Sequence, residues 1–167
     1  MDIVIRAALP TEYEQLGEIT ARAYLGDGLL GADEAFYADV LRDVAARAAD
    51  GEVLVAVDEE DGERVLGGVT FAPPGSPLAD IAGPGEAEFR MLAVSRAARG
   101  RGAGEALVRA CVARAGELEG VTHLVLSTQS GMISARRLYE RLGFVRTPER
   151  DWAPVPGLTL LTYRLSL

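Results

Sequence analysis

A short segment in the second half of the chain, Arg99 to Gly104, combines two arginines with three glycines. It follows an apolar stretch, Ala87 to Val94, and precedes a segment with the apolar spacing of a helix. Glycine lets the backbone approach a ligand closely and turn its N–H groups toward it. The start of a helix adds positive partial charge, and Arg99 and Arg101 add two cations. The segment therefore predicts a binding site for a phosphate or pyrophosphate group.

Two common phosphate-binding loops do not fit this segment. A Walker loop requires Lys and then Ser or Thr after its last glycine, whereas Glu and Ala follow Gly104. The dinucleotide pattern G-x-G-x-x-G fails as well, because Gly100, Gly102 and Gly104 leave the third glycine misplaced. The pattern R/Q-x-x-G-x-G/A does fit, with Arg99, Gly102 and Gly104 at its fixed positions.

A second segment, Ala135 to Phe144, reads Ala-Arg-Arg-Leu-Tyr-Glu-Arg-Leu-Gly-Phe. Together, and in this order, the two segments resemble the GNAT family of N-acetyltransferases. The glycine segment is similar to the family's pyrophosphate motif for acetyl-CoA, and the second to its A-x-x-L-Y-x-x-x-G-F signature. The resemblance implies an α/β fold: a mixed sheet with helices on both faces and a V-shaped opening beside the strand Ala87 to Val94. It implies acetyl-CoA as co-substrate.

The resemblance also implies which residues contact acetyl-CoA. Leu92, Ala93 and Val94 would offer backbone groups to the pantetheine arm, and an N–H near Leu92 would polarise the thioester carbonyl. Many members carry Asn three residues before the Ala of the second motif, whereas this chain has Met132. Contact there would be apolar or come from neighbouring polar side chains. The pyrophosphate would lie on backbone N–H groups of Arg99, Gly100, Arg101, Gly102, Ala103 and Gly104, and the polar neighbours of Met132 are Gln129, Ser130 and Ser134.

Two residues are candidates for acid–base catalysis. Tyr139 matches the family's general acid, which protonates the departing thiolate; alternatively it is an aromatic side chain on the core face of its helix. Glu88, at the start of its strand, is the candidate general base for the attacking ammonium group, with the same face as Arg90 and Leu92 expected from strand alternation. The alternative for Glu88 is a solvated carboxylate, and Glu86 or a water chain are further candidates for the base.

The hydrophobic pattern predicts the element order β-α-α-β-β-β-α-β-α-β-β. The strands are expected near residues 3–5, 53–57, 65–71, 87–94, 123–128, 144–145 and 158–165, with a loop at 150–157 that contains Trp152. Gly26 to Gly31 is expected to end the first helix, and Asp33 to cap a second helix that runs past Val44. We expect one domain over residues 1–167, because the chain has the length of a single domain and no linker.

Composition limits the other classes of function. The net charge of −8 makes generic binding to nucleic acid unfavourable. The single cysteine, Cys111, excludes a disulfide framework and a cysteine-rich metal site, and we expect it in the core. His123 is the only histidine, and we expect it to be structural or exposed. No apolar run is long enough to span a membrane and no signal peptide is visible, so we expect a cytoplasmic protein without a metal.

The sequence therefore predicts an acetyl-CoA-dependent N-acetyltransferase that acts on an amine of a small molecule or peptide through a ternary complex. An enzyme that uses a longer acyl-CoA is an alternative, and a non-catalytic acyl-CoA-binding sensor is another. The acceptor is not readable from the sequence; Trp152 lines its pocket or fixes a loop. Family resemblance makes a homodimer reasonable, and no nucleic-acid or membrane partner is expected.

Overall fold

The computed structural model describes residues 2–26 and 34–167, with the backbone alone for residues 34–36. The described residues form eight strands and five α-helices. The strands are β1 (Ile3–Ala7), β2 (Glu52–Asp58), β3 (Arg64–Ala72), β4 (Glu86–Val94), β5 (His123–Gln129), β6 (Val145–Arg146), β7 (Trp152–Val155) and β8 (Leu158–Ser166). The helices are α1 (Tyr13–Leu25), α2 (Glu34–Arg42), α3 (Val44–Asp50), α4 (Ala103–Glu117) and α5 (Ile133–Arg141).

All eight strands belong to one mixed sheet with the order β1-β2-β3-β4-β5-β8-β6, and β7 pairs with β8. Every pairing is antiparallel except the one between β4 and β5, which is parallel. The predicted mixed sheet is therefore confirmed. The parallel pair is connected through α4, which is the kind of crossover that parallel strands require.

Alternating side chains of the central strands supply a core on each face of the sheet. In β2, Val53, Val55 and Val57 pack with Leu16 of α1 on one face. Leu54 and Ala56 belong to the opposite core, which also contains the buried residues of α4 and α5. Helices therefore cover both faces, as the period-2 pattern of the strands requires.

The element order differs from the sequence-based prediction at two places. The second helix is divided at Asp43, whose carboxylate accepts the N–H of Ala46 (3.1 Å) and caps α3. Residues expected as a loop around Trp152 instead form β7, because Trp152 pairs with Leu160 of β8. The predicted break at Gly26 to Gly31 and the cap at Asp33 lie, apart from Gly26, outside the described residues.

The two central parallel strands separate soon after they meet. Their pairing covers only three positions, from Glu86 opposite His123 to Glu88 opposite Val125. Beyond Glu88, β4 continues to Val94 beside β3 alone. The V-shaped opening predicted beside this strand is therefore present, and it leaves one edge of β4 free of strand hydrogen bonds.

A bulge interrupts β4 inside the opened region. Met91 has a left-handed backbone (φ 57°), and the register with β3 changes between Arg90 and Ala93. One extra residue in β4 reverses the alternation of side chains beyond it. Leu92 therefore packs in the same core as Phe89, three residues earlier. The prediction that Leu92 shares a face with Glu88 and Arg90 is wrong for this reason.

A glycine in β3 allows β4 to lie this close. A Cβ atom on Gly67 would collide with the carbonyl oxygen of Ala93, whereas one on Gly116, on the exposed side of α4, would meet nothing within 4 Å. We expect Gly67→Ala to lower the free energy of unfolding by about 1–3 kcal/mol, because it forces two strands apart. Gly116→Ala should raise it by about 0.5 kcal/mol through helix propensity. Urea unfolding of both variants tests this, and equal effects would contradict it.

Candidate active site

A groove with a volume of about 700 Å³ opens where β4 and β5 separate. Its walls come from the end of β4, the glycine-rich turn, the first turn of α4 and one side of α5. The predicted cofactor residues that line it are Leu92, Ala93, Val94, Arg99, Gly100, Gly102, Ala103, Gly104, Met132 and Ser134. Among the predicted cofactor-binding residues, Arg101 alone does not line the groove.

The glycine-rich turn is shaped by backbone conformations that favour glycine. Gly100 (φ 79°) and Gly102 (φ 87°) are both left-handed, and Gly102 is the N-cap of α4. A helix leaves its first N–H groups without intrahelical partners and concentrates positive partial charge at that end. Since Ala103 and Gly104 line the groove, these N–H groups lie at its wall. The turn therefore has the properties of an anion site, as its sequence predicts.

The exposed edge of β4 forms the floor of the groove. The bulge at Met91 leaves Leu92 without a register partner in β3, and β5 has already separated at this point. The backbone of Leu92 to Val94 is thus available to an extended ligand arm, as a strand edge is. The Tyr24 hydroxyl approaches the carbonyl oxygen of Leu92 at 3.5 Å and links α1 to this edge.

A second, smaller cavity of about 70 Å³ adjoins the groove. Leu92 and Met132 line both, so the two spaces meet at these residues. The small cavity contains both predicted acid–base residues. Its lining residues are Tyr24, Tyr37, Asp80, Glu88, Phe89, Arg90, Met91, Leu92, Ser127, Thr128, Gln129, Met132, Tyr139 and Leu160.

Glu88 is fully buried, at 0% exposure, so the solvated alternative is excluded. Its Oε1 accepts three backbone N–H groups, from Asp80 (3.0 Å), Ile81 (2.9 Å) and Ala82 (3.0 Å). Its Oε2 has no hydrogen-bond partner. Burial raises the pKa of the Glu88 carboxyl, although the three N–H groups oppose this. A buried, half-satisfied carboxyl that lines a cavity is suited to accept a proton from a bound group.

Tyr139 is 4% exposed and belongs to an aromatic cluster in the core. Its ring lies 5.7 Å from Phe89, 5.9 Å from Phe144 and 6.0 Å from Tyr163, measured between centroids. Burial raises the pKa of its phenol, so the hydroxyl keeps its proton at neutral pH. Tyr139 therefore packs in the core and also lines the small cavity, and its role as the general acid stays a prediction.

The other candidates lie away from both cavities or are already satisfied. Glu86 accepts Arg150 on both oxygens and is not free to act as a base. Cys111 is fully buried, and burial raises the pKa of its thiol. His123 contacts Thr122 and Arg164 through its ring nitrogens. Trp152 donates to Ser127 Oγ (3.0 Å) and fixes its own segment on β5.

Sequence reasoning missed several lining residues from α1 and α5. Tyr24 belongs to the apolar stripe of α1 and to the aromatic side chains expected to select the acceptor, and it lines the small cavity. Arg141 lines the groove and forms an ion pair with Glu105 (2.6 Å) on the opposite wall. No local pattern could have indicated this pair, since its two residues lie on different helices and are 36 positions apart in the chain.

Two features are absent from residues 2–26 and 34–167. No group of three or more His, Cys, Asp or Glu side chains there could hold a metal ion. Within the same part of the chain, no helix is both long and apolar enough to cross a lipid bilayer.

The fold is shared with solved acetyltransferases. A GNAT-family acetyltransferase from Staphylococcus aureus Mu50 superposes with a TM-score of 0.75 at 17% identity, covering 99% of both chains. The protein yncA of Salmonella typhimurium, solved with its cofactor acetyl-CoA, has a TM-score of 0.66 at 21% identity over 100% of this chain and 95% of its own. NAA60 of Arabidopsis thaliana, in complex with a bisubstrate analogue, has a TM-score of 0.69 at 20% identity over 99% of both chains.

These likenesses show that the chain has the fold of the solved acetyltransferases. The model of the acetyltransferase (GNAT) family matches residues 13–144, which is most of the chain. The chain therefore belongs to the GNAT acetyltransferase family. No protein of curated function matches the sequence.

The burial of Glu88 predicts how the free energy of unfolding depends on pH. Because its folded pKa is raised, the carboxyl favours the folded state while it is protonated, and this contribution is lost as the pH rises through the folded pKa. The wild type should therefore lose stability relative to Glu88→Gln as the pH rises from about 4 to 8. Each unit of upward pKa shift corresponds to about 1.4 kcal/mol. Urea unfolding across pH measures this, and a pH-independent difference would contradict it.

Proposed function

We propose that the chain is an N-acetyltransferase that moves the acetyl group of acetyl-CoA to a primary amine by direct attack in a ternary complex. One observation carries the proposal: the groove that begins at the glycine-rich turn ends at the small cavity containing Tyr139 and Glu88. A cofactor with a phosphate end and a reactive thioester end fits such an arrangement. Its phosphates would lie at the glycine-rich turn and its thioester beside Tyr139 and Glu88.

The residues of the groove fit the parts of acetyl-CoA. The turn from Arg99 to Gly104 would hold the pyrophosphate through backbone N–H groups. The exposed edge of β4 at Leu92, Ala93 and Val94 would bind the amide groups of the pantetheine arm. Met132 and Ser134 would contact this arm from the α5 side, with Met132 giving an apolar contact. Acetyl-CoA supplies an acetyl thioester, which is activated toward attack by an amine.

The cavity residues would manage the two protons of the reaction. Glu88 Oε2 would take a proton from the ammonium group of the acceptor, directly or through water, because it is the unpartnered oxygen. The N–C bond then forms at the acetyl carbon and the C–S bond breaks. Tyr139 would donate its hydroxyl proton to the departing sulfur, and the second proton of the attacking nitrogen would restore the Tyr139 hydroxyl, directly or through water. The N–H of Leu92 would stabilise the negative charge on the acetyl oxygen.

The size and polarity of the small cavity limit the substrates. A volume of about 70 Å³ favours an acetyl group over a longer acyl chain and a slender primary amine over a branched one. The bisubstrate analogue bound by the Arabidopsis neighbour agrees with a mechanism in which both substrates are bound together. A cytoplasmic location, a single domain over residues 1–167 and a homodimer stay predictions.

Binding of acetyl-CoA is the first test. At about 100 times its dissociation constant, acetyl-CoA should add about 2.7 kcal/mol to the free energy of unfolding, which a thermal unfolding experiment detects. Gly102→Glu should abolish this gain by placing a carboxylate in the anion site. Gly120→Glu is the matched control, because Gly120 has the same left-handed backbone (φ 80°) and open surroundings but lies beyond the other end of α4. No gain in the wild type would refute the proposal.

Turnover tests the role of Tyr139. With an amine identified by thiol release, Tyr139→Phe should lower kcat by about 10- to 100-fold, a modest effect because a thiolate is a good leaving group. The gain in stability with acetyl-CoA should persist in this variant, since Tyr139 lines the small cavity and not the groove with the anion site. An unchanged kcat would remove Tyr139 from the mechanism. Binding of acetyl-CoA without turnover of any amine would favour the sensor.

A further inference from the structure

Two carboxylates of β4 hold four consecutive backbone N–H groups of the preceding loop. Glu88 Oε1 accepts those of Asp80, Ile81 and Ala82. Glu86 Oε1 accepts that of Gly83 at 2.9 Å. The two glutamates are two residues apart and lie on the same face of the strand, so the loop is fixed against this face at four successive positions.

Arg150 fixes the same loop from the other side. Its Nη1 and Nη2 donate to the two oxygens of Glu86, at 3.0 and 2.8 Å. Nη2 also donates to the carbonyl oxygen of Ile81, at 2.7 Å. One guanidinium thus contacts both Glu86 and the residue whose N–H binds Glu88. A two-pronged bond between Arg and a carboxylate is geometrically specific, and here it is partly buried.

The segment that carries Arg150 is itself held on the second of the separating strands. Trp152 donates to Ser127 of β5, and Asp151 accepts Arg146 on both oxygens, at 2.8 Å each. Arg150 therefore reaches from a segment attached to β5 and β8 to the loop and strand on the other side of the opening. The position of the Arg150 guanidinium is therefore set by the attached backbone segment as well as by the side chain.

We infer that Arg150 is a positioning residue for Glu88. Arg150 acts on Glu88 through Glu86 and the loop Asp80–Gly83. By holding the loop, Arg150 keeps three N–H groups on Oε1 and directs the second oxygen into the small cavity. The catalytic consequence rests on the proposed function, whereas the effect on the state of Glu88 is measurable without turnover.

The charges around Glu88 fix the direction of the effect. Burial raises the pKa of Glu88, while the loop N–H groups lower it and the Asp80 carboxylate raises it. The positive charge of Arg150 lies within electrostatic range of Glu88 and favours its ionised form. Removal of Arg150 takes away this charge and loosens the N–H groups, so both effects raise the pKa of Glu88. The other titratable groups that line the cavity are Tyr24, Tyr37, Arg90 and Tyr139.

The experiment follows the Glu88 carboxyl carbon by NMR in the full chain labelled with ¹³C-glutamate, with the signal assigned by its loss in Glu88→Gln. Arg150→Met should move the titration of Glu88 to higher pH and accelerate hydrogen exchange at Asp80 to Ala82. Arg150→Lys retains the charge without the two-pronged geometry and should give an intermediate shift. Arg6→Met is the matched control, because it breaks a two-pronged Arg–Glu pair of similar exposure, with Glu12, that does not touch the loop.

Kinetics add a second measurement if an amine substrate is found. Arg150→Met should lower kcat about tenfold near neutral pH and move the acidic limb of the rate profile to higher pH, with the KM for acetyl-CoA unchanged. Unchanged titration and exchange in Arg150→Met would overturn the inference, and so would an equal shift in Arg6→Met. If Arg150→Met does not fold, Arg150→Lys decides by the same criteria. Absence of acetyl-CoA binding would refute the proposed function alone, because the NMR measurement does not require it.

Discussion

The arrangement depends on the early separation of β4 and β5. Parallel strands that pair at only three positions leave the rest of β4 with an unsatisfied edge, which is costly unless water or a ligand binds it. The groove, the exposed backbone at Leu92 and the small cavity at its end all occupy the space that this separation opens. The first helix turn of α4 lies at the same opening, because α4 is the crossover between the two strands.

Three residues with a left-handed backbone lie beside this opening. Met91 is a non-glycine residue with φ near 57°, and Gly100 and Gly102 are left-handed in the turn. Strain at Met91 is supported by its neighbours, since its side chain is buried with Ala21 and Leu41 of α1 and α2. Strained positions persist where the surrounding structure fixes them, and they often mark functional sites. The helices that cover one face of the sheet thus also stabilise the shape of the binding edge.

The second feature of the site is a buried carboxyl group, that of Glu88, whose two oxygens differ in their hydrogen bonds. Glu88 Oε1 accepts three N–H groups of a loop, whereas Oε2 is buried without a hydrogen-bond partner. Hydrogen bonds to one oxygen reduce the penalty of burial without satisfying the other. A single residue thereby fixes the loop and keeps one carboxylate oxygen without a hydrogen-bond partner.

The sequence by itself determined the features that depend on neighbours in the chain. The spacing of Arg99, Gly102 and Gly104 sets a turn and helix start with local conformations that only glycine favours, and alternation in β2 sets which side chains face each core. The order of strands and helices, and Tyr139 on a core-facing helix, follow from the same short-range patterns. Only tertiary structure decided how far β4 and β5 pair, because pairing depends on contacts between distant segments. The bulge at Met91, the loop N–H groups on Glu88 and the contact of Arg150 with Ile81 are of this kind, since each joins residues whose relation no local spacing encodes.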